Sequence, residues 1–210
     1  MGSTHSTELL QIPFEEQKPF RATESSRVAQ FLTCFCIRTS PTSSSVSVTN
    51  TADNRPVYDI QVFGLESTVV DARGSQLFIL KREAFSRQTT VFCAHETNKE
   101  LFTITTVRRL ARPLLVAEFI DQNTNHQCRV MIDGRPDANI ALFYLERGSP
   151  TLPHVTKGDD FAHTPDRYQM IGRIRQAQGS HRNGDYFLDA APGVDYTLLV
   201  LLWSIPLRAR

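Results

Sequence analysis

Residues 196–205, Tyr-Thr-Leu-Leu-Val-Leu-Leu-Trp-Ser-Ile, carry apolar side chains in nearly every direction a helix can face. Polar atoms occur only at Thr197, Ser204 and the tips of Tyr196 and Trp203. A helix that is apolar all round must be buried in protein or lie in lipid. A helix of about 12 residues rises only ~18 Å, well short of a ~30 Å hydrocarbon core. The segment therefore needs a protein shell on every side, with Leu198, Leu199, Leu201, Leu202 and Trp203 as its core residues. Asp195, just before it, is placed to favour the helix dipole, and Pro206 supplies a stop. A buried strand also fits a short apolar run, but the leucine-rich composition favours the helix.

The rest of the chain offers strands to build that shell. Phe31–Ile37, Val46–Val48, Val57–Phe63, Thr68–Asp71 and Leu77–Leu80 form one series of short apolar or alternating runs. Thr89–His95, Leu101–Val107, Leu114–Ile120, Cys128–Ile132, Ile140–Leu145, Tyr168–Arg175 and Tyr186–Leu188 continue it. Turn signals separate most of them, among them Gly64, Ala72-Arg73-Gly74, Asn98-Lys99, Asp133-Gly134 and Asn183-Gly184. Short strands at this spacing argue for an antiparallel barrel or sandwich. Residues 1–27 hold few large apolar side chains and no sustained period, so they read as a disordered tail ahead of a domain spanning 28–210.

The 210 residues suit one domain with one core, and 23 basic against 22 acidic residues leave a net charge of +1. That balance excludes a chain drawn to nucleic acid by bulk charge, though not a local patch. No run reaches the roughly 18 apolar residues of a transmembrane span. The start shows no basic-then-apolar signal segment. The four cysteines have no zinc or disulfide spacing, and no glycosylation sequon occurs. A reducing, cytoplasmic location is expected.

Three stretches resemble the Tubby C-terminal-like superfamily, and within it the LURP-one-related proteins. Val46–Tyr58 and Ser67–Phe78 are similar to the family's strand–turn–strand units, with Asn54 where glycine is usual in the first. Leu77-Phe78-Ile79-Leu80-Lys81-Arg82-Glu83 is similar to its basic-ended strand. Ala191-Pro192-Gly193-Val194-Asp195, with the apolar run behind it, resembles the ending of LURP-one-related chains most specifically. The resemblance covers about residues 44–205 and implies a mainly β fold, a closed antiparallel barrel of about twelve strands enclosing the C-terminal helix. Phospholipid scramblases look related by the same architecture. Tubby domains bind phosphoinositide headgroups through surface Lys and Arg, so the resemblance implies that class of surface without assigning its residues one by one.

The basic residues fit such a surface. Between 81 and 112 lie seven basic residues (Lys81, Arg82, Arg87, Lys99, Arg108, Arg109 and Arg112) against three acidic ones, a local net of +4. If strands bring Lys81 and Arg82 near Arg108 and Arg109, the four make an anion site for lipid headgroups. A solvated strand face is the plain alternative, and a protein-interaction scaffold with an incidental basic face is the rival function. Met1-Gly2-Ser3-Thr4-His5-Ser6 also fits N-myristoylation at Gly2, with Cys34 and Cys36 as candidate second acylation sites. The same Met-Gly-Ser start is equally what a cloning vector leaves behind.

Enzymatic readings have less to stand on. Asp159, Asp160, His163 and Asp166 offer acid–base or ligand groups for a hydrolase, but with no recognised spacing and in a Gly/Pro-marked loop. Asp121-x-Asn123-x-Asn125 begins like a calcium loop and then fails, with His126 at the glycine position and Ile132 at the twelfth. No nucleophile elbow and no phosphate loop occurs. Cys93 and Cys128 sit inside strand patterns, where cysteine acts as a small apolar residue. The expectation is a non-enzymatic barrel without cofactor or metal, whose partner is an anionic membrane lipid or a protein.

Overall fold

The computed structural model describes residues 13–23, 27–40, 44–96, 99–108, 113–135, 140–148, 167–177 and 185–205. Its strands are β1 (Thr33–Thr39), β2 (Ser45–Asn50), β3 (Pro56–Phe63), β4 (Glu66–Asp71), β5 (Gln76–Arg82) and β6 (Gln88–Cys93). They continue with β7 (Glu100–Arg108), β8 (Pro113–Ile120), β9 (Gln127–Arg135), β10 (Ile140–Arg147), β11 (Gln169–Gln176) and β12 (Asp185–Ala190), and the helix α1 spans Tyr196–Ser204. Each strand pairs antiparallel with its sequence neighbours, and β1 closes onto β12, so the sheet is a closed up-and-down barrel.

Each strand expected from the sequence is present, with shifts at the ends. Thr33 rather than Phe31 opens β1, leaving Phe31 and Leu32 exposed. Cys93 closes β6, so His95 lies beyond it. At the β4–β5 turn the Asp71 carboxylate accepts the backbone N–H groups of Arg73 and Ser75 at 2.8 and 3.0 Å. Gly74 supplies a φ of +82° there. Asn54, where the resemblance expected glycine, adopts the same left-handed region at φ +56°, which asparagine tolerates.

The helix runs inside the barrel. Leu198, Leu199, Val200, Leu201 and Leu202 are each at most 1% exposed, within one core cluster that draws on every strand. Two of its polar side chains are satisfied: Thr197 Oγ1 lies 2.8 Å from the Tyr58 hydroxyl, and the Ser204 hydroxyl donates to the Leu201 carbonyl, whereas Trp203 Nε1 is buried without a hydrogen-bond partner. Gly172 of β11 leaves room for it, since a Cβ there would lie 2.8 Å from the Leu199 side chain. Trp203 departs from the expectation of full burial. It is half-buried, with its ring edge-on to Tyr186 at 4.9 Å.

The boundary at residue 27 does not hold, because residues 13–23 pack onto one end of the barrel. Phe20 is fully buried and stacks on Phe119, and Ala22 and Thr23 are buried as well. Backbone N–H groups of Gln17 and Phe20 donate to the carbonyls of Pro192 and Gly193. Gly193 sits at φ +81°, and any side chain there would collide with the Gln17 carbonyl, so the Pro-Gly-Val-Asp stretch is shaped to receive this segment. Asp195 is the pin. Its Oδ1 caps the helix by accepting from Leu198 N, and its Oδ2 accepts from Ala22 N at 2.9 Å. The spacing of Asp121, Asn123 and Asn125 serves the same latch. The buried Asp121 carboxylate accepts from Arg21 N, Asn123 N and the Thr124 hydroxyl, and the Asn123 amide donates to the Pro19 carbonyl. With only the buried Phe20, the half-buried Phe14 and a set of backbone bonds holding it, the segment shows no period in the sequence.

Alternate, outward residues of β8, β9 and β10 form a second buried cluster around Leu114, Val116, Met131, Leu142 and Tyr144. These strands are apolar on both faces. Arg129, 2% exposed, sits in the same sheet face and pairs with Glu146 at 2.9 Å and Glu118 at 2.6 Å, while Arg167 reaches Glu146 from the other side.

Candidate functional site

An up-and-down barrel points all odd strands one way and all even strands the other, so every strand end belongs to one of two rims. The rim where odd strands finish carries Arg38, Lys81, Arg82, Arg108, Arg135 and Arg175 in the last two positions of those strands. Five of the six odd strands contribute, and the sixth, β3, ends in Phe63. The even strands begin at this rim with only Glu66 and Asp185 as acidic residues, so six basic against two acidic residues leave a net of +4. The opposite rim carries Arg147 against Asp71, Glu100, Glu146 and Asp189, a net of −3 over the equivalent positions. The barrel is therefore charged along its axis although the whole chain is nearly neutral. The helix entry and residues 13–23 occupy the acidic end.

Of the four basic residues singled out from the sequence, Lys81, Arg82 and Arg108 share the basic rim but not one pocket. Arg82 pairs with Thr89 and Thr89 with Ile104, four residues short of Arg108. At ~4.8 Å between strands and ~3.3 Å per residue, the Arg82 and Arg108 backbones lie about 16 Å apart. Lys81 and Arg82 also start from opposite faces of β5. Lys81 lies 3.7 Å from the Glu66 carboxylate and over the Phe92 ring, while Arg82 donates to the Ser86 carbonyl and braces the β5–β6 turn. Arg87, in that turn, is exposed, and Arg38 lies 3.8 Å from Asp185. Exposed pairs of this kind contribute little and exchange readily for an external anion. Arg109 lies outside the described residues. The strand ends gather a dispersed set of basic residues, with Arg175 turned back to within 3.9 Å of Asp189, suited to many anionic groups on a surface rather than to one small anion.

The other candidate residues fall into structural roles or outside the described residues. Gly2, Asp159, Asp160, His163 and Asp166 are in the second category. Cys34 is half-buried beside Asp189; burial, then the hydrogen bond and charge of that carboxylate, push its thiol up to about 11. Cys36 is buried and its thiol is also raised, by burial first. Neither is a ready nucleophile for acylation, because the thiolate is the reactive form. Cys93 is half-buried and Cys128 buried, the latter pushed up to about 11 by burial. Among the described residues no group of three or more His, Cys, Asp or Glu is placed to hold a metal, and no helix is long and apolar enough to cross a membrane.

Sequence reasoning missed Arg38, Arg135 and Arg175 as members of the rim. They are scattered over 138 positions, and only strand direction gathers them. A local charge count found only the ends of β5 and β7, which fall inside the segment 81–112 with its net of +4.

No family model matches this chain, and no curated protein does. Its fold is similar to the X-ray structure of the Arabidopsis thaliana protein AT5G01750, with a TM-score of 0.54 and 15% identity over 85% of this chain and 91% of that one.

Proposed function

We propose that this chain is a non-enzymatic, LURP-one-related member of the Tubby C-terminal-like superfamily whose basic rim binds anionic membrane headgroups of the phosphoinositide class. The axial charge separation carries the reading: cations are concentrated on one rim in a chain with a net charge of only +1. An anionic bilayer attracts the basic end and repels the acidic one, so the field orients the barrel as well as binding it. Each basic residue close to an anionic leaflet contributes about 1 kcal/mol, so a ring with a net of +4 gives salt-sensitive, reversible attachment. The cytoplasmic leaflet is the surface of that charge. The closed barrel is the rigid holder of the ring, with its interior filled by α1.

The test is vesicle co-sedimentation at low and physiological salt, with phosphatidylcholine vesicles doped with phosphatidylserine or a phosphoinositide. Arg87→Glu with Arg108→Glu changes the rim by four charge units. Arg55→Glu with Arg73→Glu does the same at exposed positions on the opposite end. The first pair is expected to lower binding more than tenfold and the second less than about twofold. Equal losses, or no wild-type binding to any anionic vesicle at low salt, overturn the reading and leave a protein-interaction scaffold in its place.

A further inference from the structure

The basic rim also carries the exposed aromatic side chains of two adjoining turns. Phe63 ends β3 and is 65% exposed, Leu65 follows in the β3–β4 turn at 50%, and Phe85 at the tip of the β5–β6 turn is fully exposed. Strands β4 and β5 are paired, and Arg82 N donates to the Leu65 carbonyl at 2.9 Å, so the two turns lie side by side. Phe85 holds φ at +63°, a region that glycine and asparagine occupy without strain and that a bulky residue avoids. The turn is nevertheless well ordered: Ser86 N donates to the Glu83 carbonyl, Arg82 Nε to the Ser86 carbonyl, and Gln88 N to the Ser86 hydroxyl. An ordered turn thus projects a phenyl ring into water at the cost of a strained backbone.

Folding gives no reason for this arrangement, since Phe85 buries nothing. Its neighbours suggest what it meets. Lys81, Arg82 and Arg87 lie in the strand and turn that carry Phe85, against Glu66 and Glu83 in the same two turns, so a partner must receive aromatic rings and a net positive charge on the same face. A bilayer interface does so, with headgroup charge outside and acyl chains a few ångströms below. The patch consists of projecting tips rather than a groove, which suits insertion into a fluid surface.

We propose that Phe85, Phe63 and Leu65 are a membrane-inserting prow that sets the barrel's docking pose on an anionic bilayer. This rests on the headgroup reading above and adds a nonpolar step to it. Charge brings the basic end to the surface, and the prow, set between β3 and β6 on one side of the rim, tilts the barrel toward that side.

The experiment uses the full chain, with vesicles of phosphatidylcholine alone and with 20–30% phosphatidylserine (a composition of roughly physiological surface charge). Phe85→Ser is expected to weaken binding to the anionic vesicles at least fivefold. Phe31→Ser, the matched exposed phenylalanine at the other end, should leave it unchanged. Phe85→Gly should weaken it as much without lowering Tm, because glycine relieves the positive φ. In a Phe85→Trp protein a second emission component should shift to the blue on vesicle addition and be quenched by bromine in the upper acyl chain, while Trp203 stays constant. If the wild type binds anionic vesicles, Phe85→Ser binds them equally and the new tryptophan does not shift, insertion is overturned and the charge reading stands. If the wild type binds no anionic vesicle, both readings fall. If the free protein sediments as a dimer that Phe85→Ser splits, the patch is a self-association face and insertion is again overturned.

Discussion

Asp195→Ala tests whether the N-terminal segment and the helix entry form one unit. The carboxylate is fully buried and each oxygen has a backbone partner, Leu198 N at 3.1 Å and Ala22 N at 2.9 Å. Removing the cap costs about 1 kcal/mol. Leaving the Ala22 N–H buried without an acceptor costs a further ~1–3 kcal/mol. The sum is about 2–4 kcal/mol, or ~4–16 °C in Tm for a domain of this size, where each kcal/mol shifts Tm by ~2–4 °C. Asp195→Asn keeps one acceptor oxygen, so it should fall between the wild type and the alanine variant. Thermal unfolding by circular dichroism reads the total. Limited trypsinolysis reads the location, because releasing the segment frees the hydrogen-bonded backbone at Arg21 and Arg27 for cleavage before the barrel is cut. An alanine variant that melts within 2 °C of the wild type and resists trypsin equally would refute the pinning argument.

Phe20→Ala should cost ~3–5 kcal/mol in chemical denaturation, since the ring is fully buried against Phe119, whereas a disordered tail would allow no loss. Leu202→Ala should cost ~2–5 kcal/mol through lost burial and a cavity, and Leu202→Asp should yield no soluble folded protein. Alkaline stability should fall as pH rises from about 9, the ordinary thiol value, to about 11, the folded value of Cys34 and Cys128. A raised folded pKa means that the unfolded chain gives up its protons first, so stability is complete below 9 and drains away above it. Denaturation midpoints of a Cys34→Ala/Cys128→Ala protein should show a shallower alkaline limb, with the Cys36 thiol and the Tyr58 and Tyr196 hydroxyls, also raised by burial, supplying what remains.

The barrel and its helix were legible because each rests on a pattern the backbone imposes locally. Alternation at Val46–Val48, or a short apolar run such as Leu77–Leu80, reports a strand. An all-round apolar stretch from Tyr196 to Ile205 reports enclosure. The N-terminal segment was not legible because almost nothing that holds it is patterned. Phe20 is the one fully buried anchor, with Phe14 half-buried on the core, and the rest is main-chain bonding to Pro192, Gly193 and the Asp195 and Asp121 carboxylates, from positions up to 175 residues away. The rim was partly legible. Lys81, Arg82 and Arg108 lie on it as a local charge excess suggested, but the strand register separates them. Arg38, Arg135 and Arg175 join them only once each odd strand is known to finish at the same end. Phe85 was invisible for a simpler reason: an apolar residue between two strands looks the same in sequence whether its ring turns inward or outward.

The two ends of the barrel divide holding from presenting. At the acidic end three buried carboxylates are consumed: Asp195 caps and pins, Asp121 binds the Arg21 backbone, and Asp189 is ion-paired to Arg173 at 2.9 Å. Substituting any of the three removes buried partners, and its effect should appear as lost stability. At the basic end the contacts are long or exposed, with Lys81 to Glu66 at 3.7 Å, Arg38 to Asp185 at 3.8 Å and Phe85 touching nothing it could be folded against. Substitution there removes little that the fold uses, so its effect should appear as lost binding. A strained Phe85 carries the argument furthest, because a residue that costs the fold something and is still presented to solvent has to be accounted for by what the rim meets.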